Sequence, residues 1–428
     1  MDILEFIEKG VSPFHVVAQA AELLEAEGFC RLEETKLWQV EPGGKYYVTR
    51  NQSSIIAFCL PKNKPVNYHI MASHSDSPTF RIKKLNQGNT DYGKAEVEGY
   101  GGMIYSSWLD RPLTIAGRLL IDREDGLESK LVYVDKDLLV IPNLAIHFNR
   151  EINKGYAYNP QVDLQSIYGG PEADLEGVLR EAAGLSPEDE IVDHDLVLVT
   201  RQKPVRLGTS GEFFMAPRID DLACVATTLE GFLQSMENSC DSIRIWTVFD
   251  NEEVGSGTRQ GAMSNFLPQT MERIEEGLGL TRQEGMCLRS ASLLISADNA
   301  HATHPNLPAK SDSQFSVCLG GGIVVKYNAS QKYTSTGLTA AALDMVCLRE
   351  GLMTQAFANR ADSPGGSTLG NLLSQQLSIP MVDIGIPQWA MHSAVETAAC
   401  QDLKDMIVLS AGFYASDLIQ VEDGKWKI

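Results

Sequence analysis

No run of 18 apolar residues occurs in this 428-residue chain, so a membrane-crossing helix is not expected. The opening stretch, MDILEFIEKGVSPFH, lacks the basic segment and apolar core of an export signal. Cytoplasmic residence is the expectation. The eight cysteines (30, 59, 224, 240, 287, 318, 347 and 400) include no CxxC pair. That argues against a thiolate zinc site or a disulfide framework, and in a reducing compartment they read as small buried apolar residues. Positive charge is short: 36 Lys+Arg stand against 56 Asp+Glu, a formal net charge of −20. Such a field repels phosphate backbones and anionic lipid, so neither nucleic acid nor a membrane is expected as partner. Internal repeats and low-complexity tracts are also missing, which sets solenoids aside.

What is present fits a folded enzyme-sized chain. With 43% hydrophobic and 21% charged residues it can bury a full core. Its length exceeds the about 100–200 residues of one domain, so two domains, or one carrying a large insertion, are expected. Ser12-Pro13 opens a helical pattern over 12–28. Short apolar runs follow at 54–60 (SIIAFCL) and 67–73 (NYHIMAS). From about 85 to 211 the texture turns glycine-rich and β-patterned, with one helical piece, PEADLEGVLREAAG, and closely spaced strands as in a barrel or sandwich. After 212 helices and strands alternate again: a helix over 221–237, strands at 243–249, 292–297, 321–328 and 379–385, and a terminal helix from about 400 to 420. The expected division is an α/β domain of 1–84 and 212–428 interrupted by a β-rich domain of 85–211.

Five apolar runs end directly in acids or histidine. NYHIMAS leads into His74-Ser75-Asp76, IRIWTVF into Asp250-Asn251-Glu252-Glu253, and SLLISA into Asp298. FFMAPRI leads into Asp220-Asp221 at a helix start, and IPMVDIG runs through PQWAM to His392. In an open parallel sheet the carboxyl ends of strands share one edge, where ligands bind. Taken singly these features are bland: paired acids are usually solvated, Asp-Asp at a helix start is usually a cap, and a loop histidine is usually only that. Their coincidence points to a metal site of imidazole nitrogen and carboxylate oxygen. Two zinc ions about 3.5–4 Å apart need a bridging carboxylate, and Asp220, where loop turns to helix, suits that place. His74 and Asp298 would complete one ion, Glu253 and His392 the other. Three carboxylates against two dications leave one positive charge, which a bridging hydroxide would cancel. Of the adjacent Glu252 and Glu253, one side chain can be ligand and the other general base. Asp76, two residues past His74, can hold the second nitrogen of that imidazole.

At these residues the sequence resembles the aspartyl aminopeptidase family of cytosolic dinuclear zinc exopeptidases. The matching stretches include SHSDSPTFRIK (73–83), GYGGMIYSSWLDRPLTIAGR (99–118), IPNLAIHFNR (141–150), APRIDDLA (216–223), FDNEEVGSGTRQGA (249–262), SADNAHATHPN (296–306), KYNASQKY (326–333), SPGGSTLG (363–370) and GIPQWAMHSAVET (385–397). They run in family order through nearly the whole chain. The resemblance implies a three-layer catalytic domain with a mixed sheet, and an inserted β-rich domain that builds dimers within a twelve-subunit shell. It implies His74, Asp220 and Asp298 at one zinc, and Asp220, Glu253 and His392 at the other. Manganese or cobalt would also fit. Glu252 falls on the general base, Glu252 and Asp76 being the expected catalytic residues, and the bond after Asp220 is expected to be cis. His147 matches a histidine that reaches a neighbouring subunit's site. His301 and His304 match pocket histidines, and Lys326 and Tyr333 match residues near the substrate. Two departures stand out: LPAKSDSQFSVCLGGG after His304 lacks the His-rich text of some relatives, and Asp221 stands where many have Asn.

The expected activity is removal of N-terminal residues, Asp or Glu foremost, from peptides by a zinc-bridged hydroxide, with Glu252 as base. Lys326 would pair with an acidic side chain at the position before the cleaved bond, although the same residue near a strand end is ordinarily a solvated lysine. Two other readings share the ligands: a deacylase or other amide hydrolase, and a non-catalytic shell-forming scaffold. A free amine requirement separates the first, and an intact base at Glu252 argues against the second. SPGGSTLG lacks the lysine of a phosphate-binding loop and reads as a turn into a helix near Thr368, and GYGG at 99–102 reads as a β turn.

Overall fold

The computed structural model describes residues 1–85 and 91–428. Among these, nine strands form a mixed sheet whose centre is four parallel neighbours: Ser242–Phe249, Asn67–His74, Leu293–Ala297 and Met381–Gly385. All four are buried along their length. Both faces are covered, which is why these strands read as unbroken apolar runs rather than as alternation. In strand Ser242–Phe249, Trp246 and Val248 face one core while Ile243, Ile245 and Phe249 face the other. Helices Pro13–Ala26, Ile219–Gln234, Gly337–Arg349 and Cys400–Ala415 supply the first core, and Phe266–Gly277, Arg282–Ser290 and Leu369–Ser374 the second. This is the three-layer α/β arrangement anticipated above. No helix among the described residues is long and apolar enough to cross a membrane.

A second, antiparallel sheet orders strands Gly126–Tyr133, Leu113–Arg123, Glu190–Thr200, Thr79–Lys84, Gly93–Tyr100 and Ser166–Gly169. Single bridges Leu113–Leu139 and Val140–Ile167 tie the segment between its far strands and curl the sheet toward a barrel. Helix Leu175–Ala183, capped by the Asp174 side chain, adds Leu175 and Leu179 to the interior. This sheet begins at Thr79, ahead of residue 85, where the sequence texture changes. Strand Thr79–Lys84 alternates (Phe80 and Ile82 in, Arg81 and Lys83 out), a half-buried pattern that the glycine-rich text after it overshadows.

A third sheet, of five short strands, joins Val205–Leu207, Phe213–Ala216, Glu396–Ala399, Pro387–Trp389 and Ala300–His301. It changes one expectation. Asp220 and His392 follow strands of this small sheet rather than of the large one, so two of the five strand-end clusters reach the common edge by another route.

Helices Ile219–Gln234 and Cys400–Ala415 approach closely at Gly231. A Cβ there would overlap the Ser410 side chain and lie 2.8 Å from both Ile407 O and Ala411 N. Gly231→Ala gains about 1 kcal/mol of helix propensity, but the pair would have to part against backbone atoms, an overpacking cost of about 1–3 kcal/mol. The expected net result is a lower urea midpoint; an unchanged or higher midpoint would mean that the helices separate freely.

Candidate metal centre

His74 ends its strand buried, and its Nδ1 lies 3.0 Å from the Asp76 carbonyl oxygen. With that nitrogen engaged, Nε2 faces Asp220 Oδ1 at 3.4 Å. The other Asp220 oxygen lies 3.5 Å from His392 Nε2, which is also 3.3 Å from Glu253 Oε2. One carboxylate therefore stands between two imidazoles. The Asp220–Asp221 peptide bond is cis, as anticipated.

Three sets of possible ligand atoms lie within 4.8 Å of one another: His74, Asp220, Asp221 and Asp298; His74, Glu252 and Glu253; and Asp220, Glu253 and His392. All seven predicted members of the centre except Asp76 are in these sets, and Asp76 touches them from behind. Its Oδ1 accepts the Glu252 N–H and its Oδ2 the Glu253 N–H, both at 3.1 Å. Asp221, not among the ligands expected from the sequence, accepts the His74 N–H through Oδ2 at 3.1 Å. Its adjacency to Asp220 was the one available signal.

Electrostatics mark the pocket as short of positive charge. Burial opposes ionisation of Asp220, but His392 and His74 outweigh it and hold that carboxyl well below the usual range. Its neighbours go the other way. Burial, reinforced by Asp298, pushes Glu252 up to about 8. Burial and Asp220 push Glu253 far above its usual range, and burial raises Asp298 as well. Burial pulls His74 and His392 down, yet Asp220 and its fellow acids prevail, raising His74 well above its usual value and His392 to about 9. Asp220 Oδ1, Asp221 Oδ1 and Glu253 Oε1 are buried without a hydrogen-bond partner. Buried acceptor oxygens left bare in an acidic, imidazole-containing pocket fit a divalent cation.

Several supports were invisible in the sequence. Glu396 Oε1 accepts the His392 N–H at 2.7 Å, and Oε2 accepts the Asp220 N–H at 2.9 Å. Asn299 Nδ2 donates to Ile219 O at 2.7 Å and to Gln388 Oε1 at 2.8 Å, tying the Asp298 strand end to the Asp220 loop. Arg218, Asn251 and His392 all adopt left-handed backbone, with φ of 56°, 62° and 66°. Each non-glycine residue there costs about 1–2 kcal/mol, and such residues gather at functional sites.

The expected substrate residues divide. Lys326 is buried, its Nζ donating to Asn299 O at 3.0 Å and lying 3.6 Å from Asp298 Oδ1. Burial works against its charge, but Asp298 and Tyr333 more than compensate, so it stays an ammonium. The Tyr333 ring, also buried, lies 5.5 Å from that Nζ. His301 packs beside Phe357, its pKa lowered by burial and by Lys326. His304 is exposed, its Nδ1 accepting the Asn306 N–H. His147 is exposed on the inserted segment and joins none of the three ligand sets.

Known proteins carry the same architecture. The family model for Aminopeptidase I zinc metalloprotease (M18) matches residues 6–414. A probable M18 family aminopeptidase 2 of Clostridium novyi is 40% identical over 412 residues, covering 94% of this chain and 95% of that one. Its namesake in Pseudomonas fluorescens SBW25 is 36% identical over 426 residues, 97% of each. A chain of the cryo-EM structure of the Ape4 and Nbr1 complex superposes with a TM-score of 0.93 at 35% identity, covering 97% of this chain and 85% of that chain. The S. cerevisiae mApe1 dodecamer gives 0.84 at 27% identity, covering 96% and 95%. Fold and acidic centre together define a zinc-dependent metallopeptidase, a hydrolase. Within that class the chain belongs to the M18 family, and it is an aminopeptidase.

The raised carboxyls have a consequence for stability. Glu252 and Glu396, both near 8 when folded, sit far above an unfolded glutamate at about 4.3. Folding without metal therefore takes up protons, and stability falls as pH rises from about 4.3 through 8. His392, raised to about 9, acts in the same sense: its contribution is complete below about 6.5 and lost through 9. Metal-free protein should thus melt lower at about pH 8.5 than at about pH 6, and zinc should raise Tm more at the higher pH. Scanning calorimetry checks this; an equal or larger zinc effect at the lower pH contradicts it.

Proposed function

We propose that this aminopeptidase holds two zinc ions and removes acidic N-terminal residues, Asp or Glu, from peptides in the cytoplasm. The observation that carries the reading is Asp220, with one oxygen toward His74 and the other toward His392. His74, Asp220 and Asp298 would hold one ion, and Asp220, Glu253 and His392 the other; manganese or cobalt suits the same donors. Bound there, the metals supply a polarised scissile carbonyl and a water whose pKa falls toward about 7.

The chain's own residues do the rest. Glu253 is turned to His392, which leaves Glu252 as the acid free of that pairing. The Glu252 carboxylate takes the proton from the attacking water and returns it to the departing amine. Asp76 fixes both backbone N–H groups of the Glu252–Glu253 pair, so base and ligand keep one spacing. The acid-rich pocket suits a free α-ammonium. Lys326, held charged beside Asp298 and Tyr333, is the cation that would meet an acidic side chain.

Self-association completes the reading. His147 is flanked by Leu144, Ile146 and Phe148, which are 60%, 53% and 81% exposed, an apolar loop suited to burial against another copy. The kinship with a dodecameric neighbour supports dimers building a dodecamer, with His147 reaching the next subunit's site.

Glu252→Gln should lower kcat by about 10²–10⁴-fold with zinc content unchanged. Full activity in that variant would remove Glu252 from the reaction. Peptides with a free amine should be cleaved and their N-acetylated forms spared; the reverse identifies a deacylase, and zinc without turnover on a broad peptide panel a scaffold. In Lys326→Met, the ratio of kcat/KM for aspartyl over leucyl anilides should fall about tenfold or more, in line with a lost charge-assisted contact of about 1.5–3 kcal/mol. An unchanged ratio would place acid recognition elsewhere.

A further inference from the structure

The GYGG text at 99–102, which reads as a turn in the sequence, lies where the second sheet touches the metal centre. Strand Gly93–Tyr100 ends there, and the chain continues to the short helical turn Tyr105–Trp108. The Tyr100 hydroxyl donates to Asp76 Oδ2 at 2.7 Å and accepts from Asn251 Nδ2 at 2.8 Å. Asp76 in turn holds the N–H groups of Glu252 and Glu253. Asn251 is the left-handed residue directly before them, its Oδ1 also accepting from Thr258 Oγ1 and Gln260 Nε2, each at 2.8 Å. One phenol thus ties together the two groups that orient the base and its neighbouring ligand.

The next residues reach the opposite side of the centre. Gly102 O lies 2.9 Å from His392 Nδ1, which makes that nitrogen the donor and leaves Nε2 bare toward Asp220 and Glu253. The Ile104 N–H donates to His392 O at 2.9 Å, and the Ala394 N–H to Ser107 Oγ at 2.8 Å. Between them, Gly101 has φ +77°, and a Cβ there would lie 3.1 Å from Glu253 Cβ. Glycine is required for both reasons: the left-handed backbone and the close approach.

We propose that segment 100–102 of the second sheet is a positioning element of the catalytic centre, with Tyr100 acting through Asp76 and Asn251 on Glu252 and Glu253, and Gly101–Gly102 acting on Glu253 and His392. Tyr100 is a positioning residue: it touches neither metal ligand directly, and its effect passes through the groups it holds. The inference deepens the two-zinc reading above and rests on it for the roles of Glu252, Glu253 and His392.

Tyr100→Phe removes one oxygen and keeps the ring. At saturating zinc, on aspartyl p-nitroanilide, kcat should fall about 10–100-fold, the range found for partners that orient ligands, with KM within about twofold. Combined with Asp76→Asn, the loss should be much smaller than the product of the single losses, because both changes break one chain of contacts. Gly101→Ala should speed zinc loss to a competing chelator, and the cobalt-loaded variant should show an altered visible absorption band. Three results overturn the proposal: wild-type kcat in Tyr100→Phe, multiplicative losses in the double variant, or wild-type zinc release and cobalt spectrum in Gly101→Ala. Metal binding is read without turnover. A wild-type protein that binds two zinc ions but cleaves no peptide would therefore refute the functional reading, while the zinc and cobalt measurements still decide the positioning role.

Discussion

Two imidazoles face opposite oxygens of the Asp220 carboxylate, and around that group the fold packs Asp221, Glu252, Glu253 and Asp298 into one buried to half-buried acidic cluster. Like charges in such a place repel, and burial alone would drive their protons back on. The arrangement makes chemical sense only with cations in it. Much of the local structure counters the tendency of this cluster to spread: the left-handed residues at Arg218, Asn251 and His392, the buried Glu396, and the cross-tie through Asn299.

The site draws on three sheets with different duties. The four parallel central strands are rigid and fully buried, and they present His74, the Glu252–Glu253 turn and Asp298 along one edge. The small sheet brings Asp220 and His392 across from the side, with Glu396 bonded to the backbone of both. The second sheet closes the back through Tyr100 and Gly102. A metal centre needs ligand placement within a fraction of an ångström, and no single loop supplies that; three packed bodies meeting at one point do.

That convergence changes how the inserted β-rich region is understood. A module that served assembly alone could hang from the catalytic body by two crossings. Here its strand end and following turn stand directly behind Asp76, Glu253 and His392. Anything that shifts the curled sheet as a body also shifts the groups it holds.

Most of the architecture could be read from the chain in order. Strands at 54–60, 67–73 and 243–249 were legible because burial on both faces leaves unbroken apolar text, and helices because their apolar residues return every three or four positions. Of the five run ends rich in acid or histidine, those at His74, Asp250–Glu253 and Asp298 follow parallel strands that share an edge, whereas those at Asp220 and His392 follow strands of the small sheet, which apolar text alone does not distinguish. The sheet boundary at Thr79 was not, since a short alternating strand resembles its polar surroundings. Nor were Tyr100, Glu396 and Asn299, whose residue types carry no local mark of their partners. Tyr100 meets Asn251 across 151 positions, and Gly102 meets His392 across 290. Periodicity and turn chemistry are properties of neighbours along the chain and belong to the sequence. Which distant groups share a hydrogen bond, and which charges must tolerate one another in a buried cluster, is settled only when the layers close.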